Sequence, residues 1–305
     1  MIRLLMATLI GLLLIGLSQA QTTRPTDMSP GIVTLHEALI YPVVRVLCGP
    51  GGGSGTILYS EDRDKKGVFA SFCLTNHHVI DDAIKVEKKW SSLLNAYVDT
   101  ETRQTVKVEV FRYERISKQV GRESFDSDIV AHSKDHDLAL LRLRCDRRMQ
   151  YVARIRPKDL AERAYLFDKT YSVGCSLLHS PIVTSGEITS LNDEIENKSF
   201  WLASSQIIFG NSGGAVFRQD SLEFIGVPSR VPVYGFGNAV THMAYFVDLP
   251  RIYAWLEGEC LSFIYGPKTP DECMKEREVL QRAAQFQRVS KDTEKTIPAS
   301  APGPK

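Results

Sequence analysis

Three glycines surround one serine in Gly210-Asn211-Ser212-Gly213-Gly214, and this run restricts the fold more than any other stretch. Glycine adopts backbone conformations that a Cβ forbids and lets another chain approach closely. The run therefore marks a sharp, open turn with a hydroxyl at its tip. It is followed by Ala215-Val216-Phe217, a polar turn at Gln219-Asp220-Ser221, and Leu222 to Val227. Two short apolar runs about a polar turn read as a β-hairpin. An α/β-hydrolase elbow instead lies between a strand and a helix, with its acid and histidine later in the chain. That pattern disfavours an esterase of this class.

A serine hydroxyl is a weak nucleophile and needs a base. Upstream, the strand-like Val68 to Cys73 leads into Leu74-Thr75-Asn76-His77-His78-Val79-Ile80. A histidine at such a strand end can serve as a general base near neutral pH. Further on, Asp137 precedes the apolar run Leu138-Ala139-Leu140-Leu141-Arg142-Leu143. A carboxylate placed there can orient an imidazole and stabilise its cation. The chain order is His, Asp, Ser, with spacings of 59 (78 to 137) and 75 (137 to 212).

These blocks resemble the trypsin-like serine proteases, most closely the bacterial HtrA-type branch. The resemblance is carried by Gly53-Ser54-Gly55-Thr56, Thr75-Asn76-His77-His78-Val79, Asp137-Leu138-Ala139-Leu140 and Gly210-Asn211-Ser212-Gly213-Gly214. Tyr171-Ser172-Val173-Gly174 and Val183 to Ser190 match more weakly, and together the blocks span residues 36–258. The resemblance implies an all-β, chymotrypsin-like fold of two antiparallel six-stranded β-barrels. Barrel 1 (about 36–150) would supply His78 and Asp137, and barrel 2 (about 160–258) would supply Ser212.

It also implies the roles: Ser212 as nucleophile, His78 as base and Asp137 as its orienting carboxylate. The N–H groups of Gly210 and Ser212 would form an oxyanion hole. Peptide or protein substrates would be cleaved through an acyl-enzyme, with no cofactor or metal. His77 and His78 would point to opposite faces of an extended chain, and the resemblance selects His78, the residue before Val79. Asp137 is chosen over Asp135 because it directly precedes the apolar strand. By resemblance Gln206, Ile207, Ala244, Tyr245 and Phe246 would wall the substrate pocket. Gln206 lacks the carboxylate of a trypsin pocket, so a medium apolar residue is expected there rather than Lys or Arg. Asn211 stands where proteases activated by propeptide cleavage carry an aspartate, so no zymogen ion pair is expected. The alternative is a catalytically silent, protease-like module that binds peptides or acts as a chaperone.

Met1 to Ala20, with Arg3, an apolar run to Leu17 and Ser18-Gln19-Ala20, reads as a secretory signal peptide. A secreted or periplasmic location follows. Residues 21–35 read as a flexible lead-in. The formal net charge is +1 with both signs interspersed, which gives no footprint for nucleic acid. Six cysteines in an exported chain suggest disulfides. Fifteen pairings are open, of which Cys260–Cys273 is favoured for tying the tail to the core; in a reducing compartment all six are small core residues. Ile116 to Ser127 reads as a polar surface excursion. His132 and His136 are too poorly placed in an extended stretch to suggest a metal site. Residues 259–289 form an extension in which Thr269-Pro270-Asp271-Glu272 fits a capping box, and residues 290–305 read as a disordered tail. Assembly into a homo-oligomer is left open.

Overall fold

The computed structural model describes residues 30–282, except 65–67, 93–94 and 281. The signal peptide, the lead-in up to residue 29 and the tail beyond 282 lie outside the described residues. The rest of the expected lead-in is ordered: α1 (Pro30–Leu35) runs into a π-helical turn, His36–Ile40. Proline suits a first helical turn, where its missing N–H costs nothing. Val33 and Leu39 become buried, which accounts for the order.

Period-two alternation then takes over. In β1 (Val43–Cys48), Val44, Val46 and Cys48 face the interior of a barrel, while Val43 faces the second core. β2 (Gly51–Asp64) and β3 (Val68–Thr75) continue as a meander. The short α2 (His77–Ile80) follows, and β4 (Ile84–Ser91) with β5 (Ala96–Arg103) forms a separate two-stranded sheet. β6 (Val106–Glu114), β7 (Lys118–Ser133) and β8 (Leu138–Leu143) complete a closed six-stranded ring in the order β1-β2-β3-β8-β7-β6. Of the residues expected as a surface excursion, Ile116 and Ser117 form a turn and 118–127 belong to β7. Only one face of that strand is buried, through Phe125, Ser127 and Ile129, so its charged face hides the pattern.

A second closed ring, β10-β11-β16-β13-β12-β9, is built from β9 (Lys169–Gly174), β10 (Ile182–Ile195), β11 (Lys198–Ala203), β12 (Ala215–Arg218), β13 (Phe224–Arg230) and β16 (Ala244–Asp248). The small pair β14 (Val233–Tyr234) and β15 (Asn238–Ala239) lies between β13 and β16 in the chain. Each ring has its own core, with Val46, Ile57, Val108 and Leu141 in the first and Ile188, Trp201, Val216 and Phe246 in the second. The largest cluster joins the two: Phe72, Leu74, Leu138 and Leu140 pack in one core with Phe200, Phe217 and Phe224. α3 (Leu249–Gly258) closes it with Ile252, Trp255 and Leu256. The fold is all-β and chymotrypsin-like, with two barrels sharing a buried seam.

Beyond α3 the capping box forms. Glu272 accepts the Thr269 backbone N–H at 2.7 Å, and Thr269 Oγ1 accepts that of Glu272 at 3.3 Å; helix α4 covers residues 270–280. The favoured Cys260–Cys273 bridge is not formed, and all six cysteines are free. Cys273 is fully buried with its Sγ 3.6 Å from Ser262 Oγ, so the thiol serves as a core residue. Burial likewise pushes the Cys175 thiol up to about 12, leaving it protonated and inert.

Candidate active site

Asn76 links β3 to α2 as the residue before the helical turn. It has extended backbone angles, and its Nδ2 donates to the Asp137 carbonyl at 2.7 Å. This ties the histidine turn to the start of β8. His77 and His78 therefore lie on a helical turn, not in the extended chain expected, and they diverge by a helical step. His77 is buried, 3.2 Å from Asp81 through Nε2, and stacks on His132 with centroids 5.1 Å apart. His78 instead places Nδ1 3.0 Å from both oxygens of Asp137. A carboxylate at Nδ1 requires a proton there, so the neutral tautomer of this ring carries its lone pair on Nε2. The His78 side chain is 47% exposed whereas that of Asp137 is 8% exposed, so the imidazole faces the solvent side of a buried carboxylate. Asp135 is a solvent residue with a 95% exposed side chain.

Asp137 sits in the left-handed region at φ 53°, a conformation that aspartate tolerates better than most residues. It accepts the His78 backbone N–H at 3.2 Å and the Ser229 hydroxyl at 2.6 Å. Burial by itself would raise its pKa, but the bonds from His78 and Ser229 outweigh burial and hold it below the ordinary aspartate value.

Ser212 comes from the second barrel on a turn that only glycine can build. Gly210 has φ +94°, and a Cβ there would lie 2.5 Å from the Cys175 carbonyl and 2.7 Å from Leu177 N. Gly213 has φ +85°, and its Cβ would lie 2.1 Å from the Ser54 carbonyl. Ser54 stitches the barrels together: its N–H donates to the Ser212 carbonyl at 2.7 Å and its hydroxyl to the Gly210 carbonyl at 2.6 Å. The same hydroxyl accepts the Cys175 N–H at 2.7 Å. The Ser212 hydroxyl donates to the Ser229 carbonyl at 3.3 Å. Ser229 thus touches Asp137 with its side chain and Ser212 with its backbone, which brings the carboxylate of one barrel and the serine of the other to a single residue. Nothing in Val227-Pro228-Ser229-Arg230 distinguishes this serine in sequence, because its role exists only once the barrels meet.

Asn211 is 2% exposed, and its Oδ1 accepts the Ser176 hydroxyl at 2.7 Å and the Ile208 N–H at 3.2 Å. Neutral donors therefore hold the position that the zymogen argument turned on. Of the expected pocket residues, Gln206 is exposed and its carbonyl accepts the Thr184 hydroxyl at 2.7 Å. Ile207 N donates to the Thr241 carbonyl at 2.9 Å, which joins this segment to the one leading into β16. Ala244 opens that strand and is buried. Phe246 shares the strand face of Ala244, and Tyr245 takes the opposite one. Adjacent strand residues face opposite sides: Phe246 packs on Trp201 inside barrel 2, and Tyr245 packs on Phe200 in the seam. Among the described residues, no group of three or more His, Cys, Asp or Glu side chains is placed to hold a metal.

Among solved structures, the MamO protease domain from Magnetospirillum magneticum superposes with a TM-score of 0.51 at 14% identity, covering 73% of this chain and 99% of that one. Two structures of the HtrA-type protease AlgW with tripeptide give TM-scores of 0.50 and 0.52 at 15% and 16% identity. They match 78% of this chain, which spans 64% of theirs. At such identities the likeness concerns the fold. No curated protein matches the chain. The trypsin-like peptidase domain family matches residues 53–227. That range runs from the strand bearing Ser54 through His78, Asp137 and Ser212, and it covers more than half of the sequence, so the chain belongs to the trypsin-like peptidase family.

Proposed function

We propose that the chain is an exported serine endopeptidase that cleaves peptide bonds through an acyl-enzyme. The observation that carries this reading is the continuous path His78–Asp137–Ser229–Ser212, with links of 3.0, 2.6 and 3.3 Å. In the mechanism, rotation about the Cα–Cβ bond turns the Ser212 hydroxyl from the Ser229 carbonyl toward Nε2 of His78. His78 takes its proton as Ser212 Oγ attacks the substrate carbonyl, and Asp137 stabilises the imidazolium that forms. The imidazolium then protonates the leaving amine, and water repeats the sequence on the ester. The N–H groups of Gly210 and Ser212 receive the oxyanion, each worth about 3 kcal/mol in comparable sites.

Support for peptide substrates comes from family membership, and support for export comes from the character of residues 1–20. The pocket proposed for Gln206, Ile207, Ala244, Tyr245 and Phe246 carries no carboxylate and favours a medium apolar side chain. Asn211, held by Ser176 and Ile208, needs no new α-ammonium group, so competence does not await propeptide cleavage. A fluorophosphonate probe tests the reading: labelling of residues 21–305 that disappears in Ser212→Ala supports it. Absence of labelling under all conditions favours the silent peptide-binding module.

A further inference from the structure

Arg45 is a cation in the middle of a barrel strand, with a side chain only 13% exposed. Its register partner across the β1–β6 pair is Glu109, whose Oε2 accepts Arg45 Nε at 2.6 Å. Glu109 also accepts Arg122 Nε at 2.9 Å, and the Arg45 guanidinium lies 5.6 Å from the centroid of the Phe111 ring. These contacts fix the guanidinium plane against the outer face of barrel 1, opposite Val44 and Val46. Its Nη1 donates from there to the Leu178 carbonyl, 133 residues away in the chain.

Leu178 ends an unusual loop. Leu177 and Leu178 have φ of 50° and 60°, adjacent left-handed conformations that each cost a leucine on the order of 1–2 kcal/mol and persist only where surroundings impose them. The loop makes two contacts with the nucleophile turn. Ser176 Oγ donates to Asn211 Oδ1 at 2.7 Å, and Leu177 N donates to the Phe209 carbonyl at 2.7 Å. The Phe209–Gly210 peptide is trans, since no cis bond occurs among the described residues. In a trans peptide the C=O and the following N–H point in opposite directions. Holding the Phe209 carbonyl against Leu177 therefore points the Gly210 N–H in the opposite direction, away from the loop.

We propose that Arg45 is a positioning residue for the oxyanion hole: anchored by Glu109, it clamps the Ser176–Leu178 loop, and the loop sets the direction of the Gly210 N–H. This deepens the protease reading and rests on it. Arg45 never meets the substrate. It acts across the barrel interface, through the loop.

The test compares Arg45→Met, Arg45→Lys and the double variant Arg45→Met/Glu109→Gln, each measured for kcat and KM on a peptide amide and for affinity toward a peptidyl boronic acid. Arg45→Met is expected to lower kcat by about 10- to 1,000-fold, up to the loss of one oxyanion donor, with KM changed less than about threefold. Boronate affinity should fall in parallel with kcat. Arg45→Lys should restore part of the loss. The double variant removes the carboxylate that loses one of its two arginine partners in the single change, so it should recover thermal stability while kcat stays low. Recovery of kcat in the double variant, or a loss residing in KM, overturns the proposal. An unlabelled, inactive parent chain instead overturns the protease reading itself, and the positioning role falls with it.

Discussion

Replacing Ser229 by alanine isolates one bond at the centre of the site. The serine hydroxyl donates to Asp137 Oδ2 at 2.6 Å, and the two residues are 5% and 6% exposed. Bonds to ionised groups contribute about 1.5–3 kcal/mol, and the methyl group of alanine nearly refills the volume, so the cavity term is small. At neutral pH the variant should lose about that amount, or roughly 3–12 °C in Tm at 2–4 °C per kcal/mol. The sign of the pH dependence follows from Asp137. Its folded pKa lies below the ordinary value, so its ionised form contributes stability above the unfolded aspartate pKa of about 3.9 that is lost as pH falls through the folded value. The gap between parent and variant should therefore be full from pH 7 down to about 4 and shrink below it. Urea titrations from pH 7 to pH 2 measure that gap. A constant gap at every pH, or none at neutral pH, refutes the claim that this bond stabilises the carboxylate.

Other predictions follow from neighbouring groups. Phe200 is fully buried in the seam, between the guanidinium groups of Arg251 and Arg230 at 5.0 and 5.4 Å from its ring centroid; Phe200→Ala should cost about 3–5 kcal/mol in a denaturant titration, and less than 1 kcal/mol would contradict the packing. Burial first, and the adjacent His132 second, hold His77 below its ordinary pKa. Its neutral form is favoured, so stability should decline as pH falls below about 6.5, and His77→Gln should flatten that decline in a Tm-versus-pH series. Profiling with a peptide library should show cuts after medium apolar residues; dominance of Lys or Arg would contradict the pocket assignment.

Strands β3 and β8 were legible because burial on both of their faces leaves continuous apolar runs, whereas the pair of barrels followed from the resemblance of the motifs. β7 was hidden by its charged outer face, and the β4–β5 pair was hidden because Lys88, Asp99 and Glu101 line the surface that it shares with Val86, Trp90 and Tyr97. At the site, motif residues account for His78, Asp137, Gly210 and Ser212. Ser229, Ser176 and Arg45 carry no local signature, because each acts on a group that lies 35 to 133 residues away in the chain. In β16, Tyr245 faces the side opposite to Ala244 and Phe246, an alternation that the matching run alone does not display. The helical turn at His77–Ile80 shows a similar limit, since two adjacent histidines alone do not reveal whether the chain there is extended or coiled.

Turnover of casein or a peptide amide by residues 21–305, set beside Ser212→Ala, tests the central claim most directly. The account predicts measurable hydrolysis that falls by about 10³- to 10⁶-fold in the variant, the range expected when a nucleophile is removed. Equal turnover by the two chains would place the chemistry elsewhere and contradict the account.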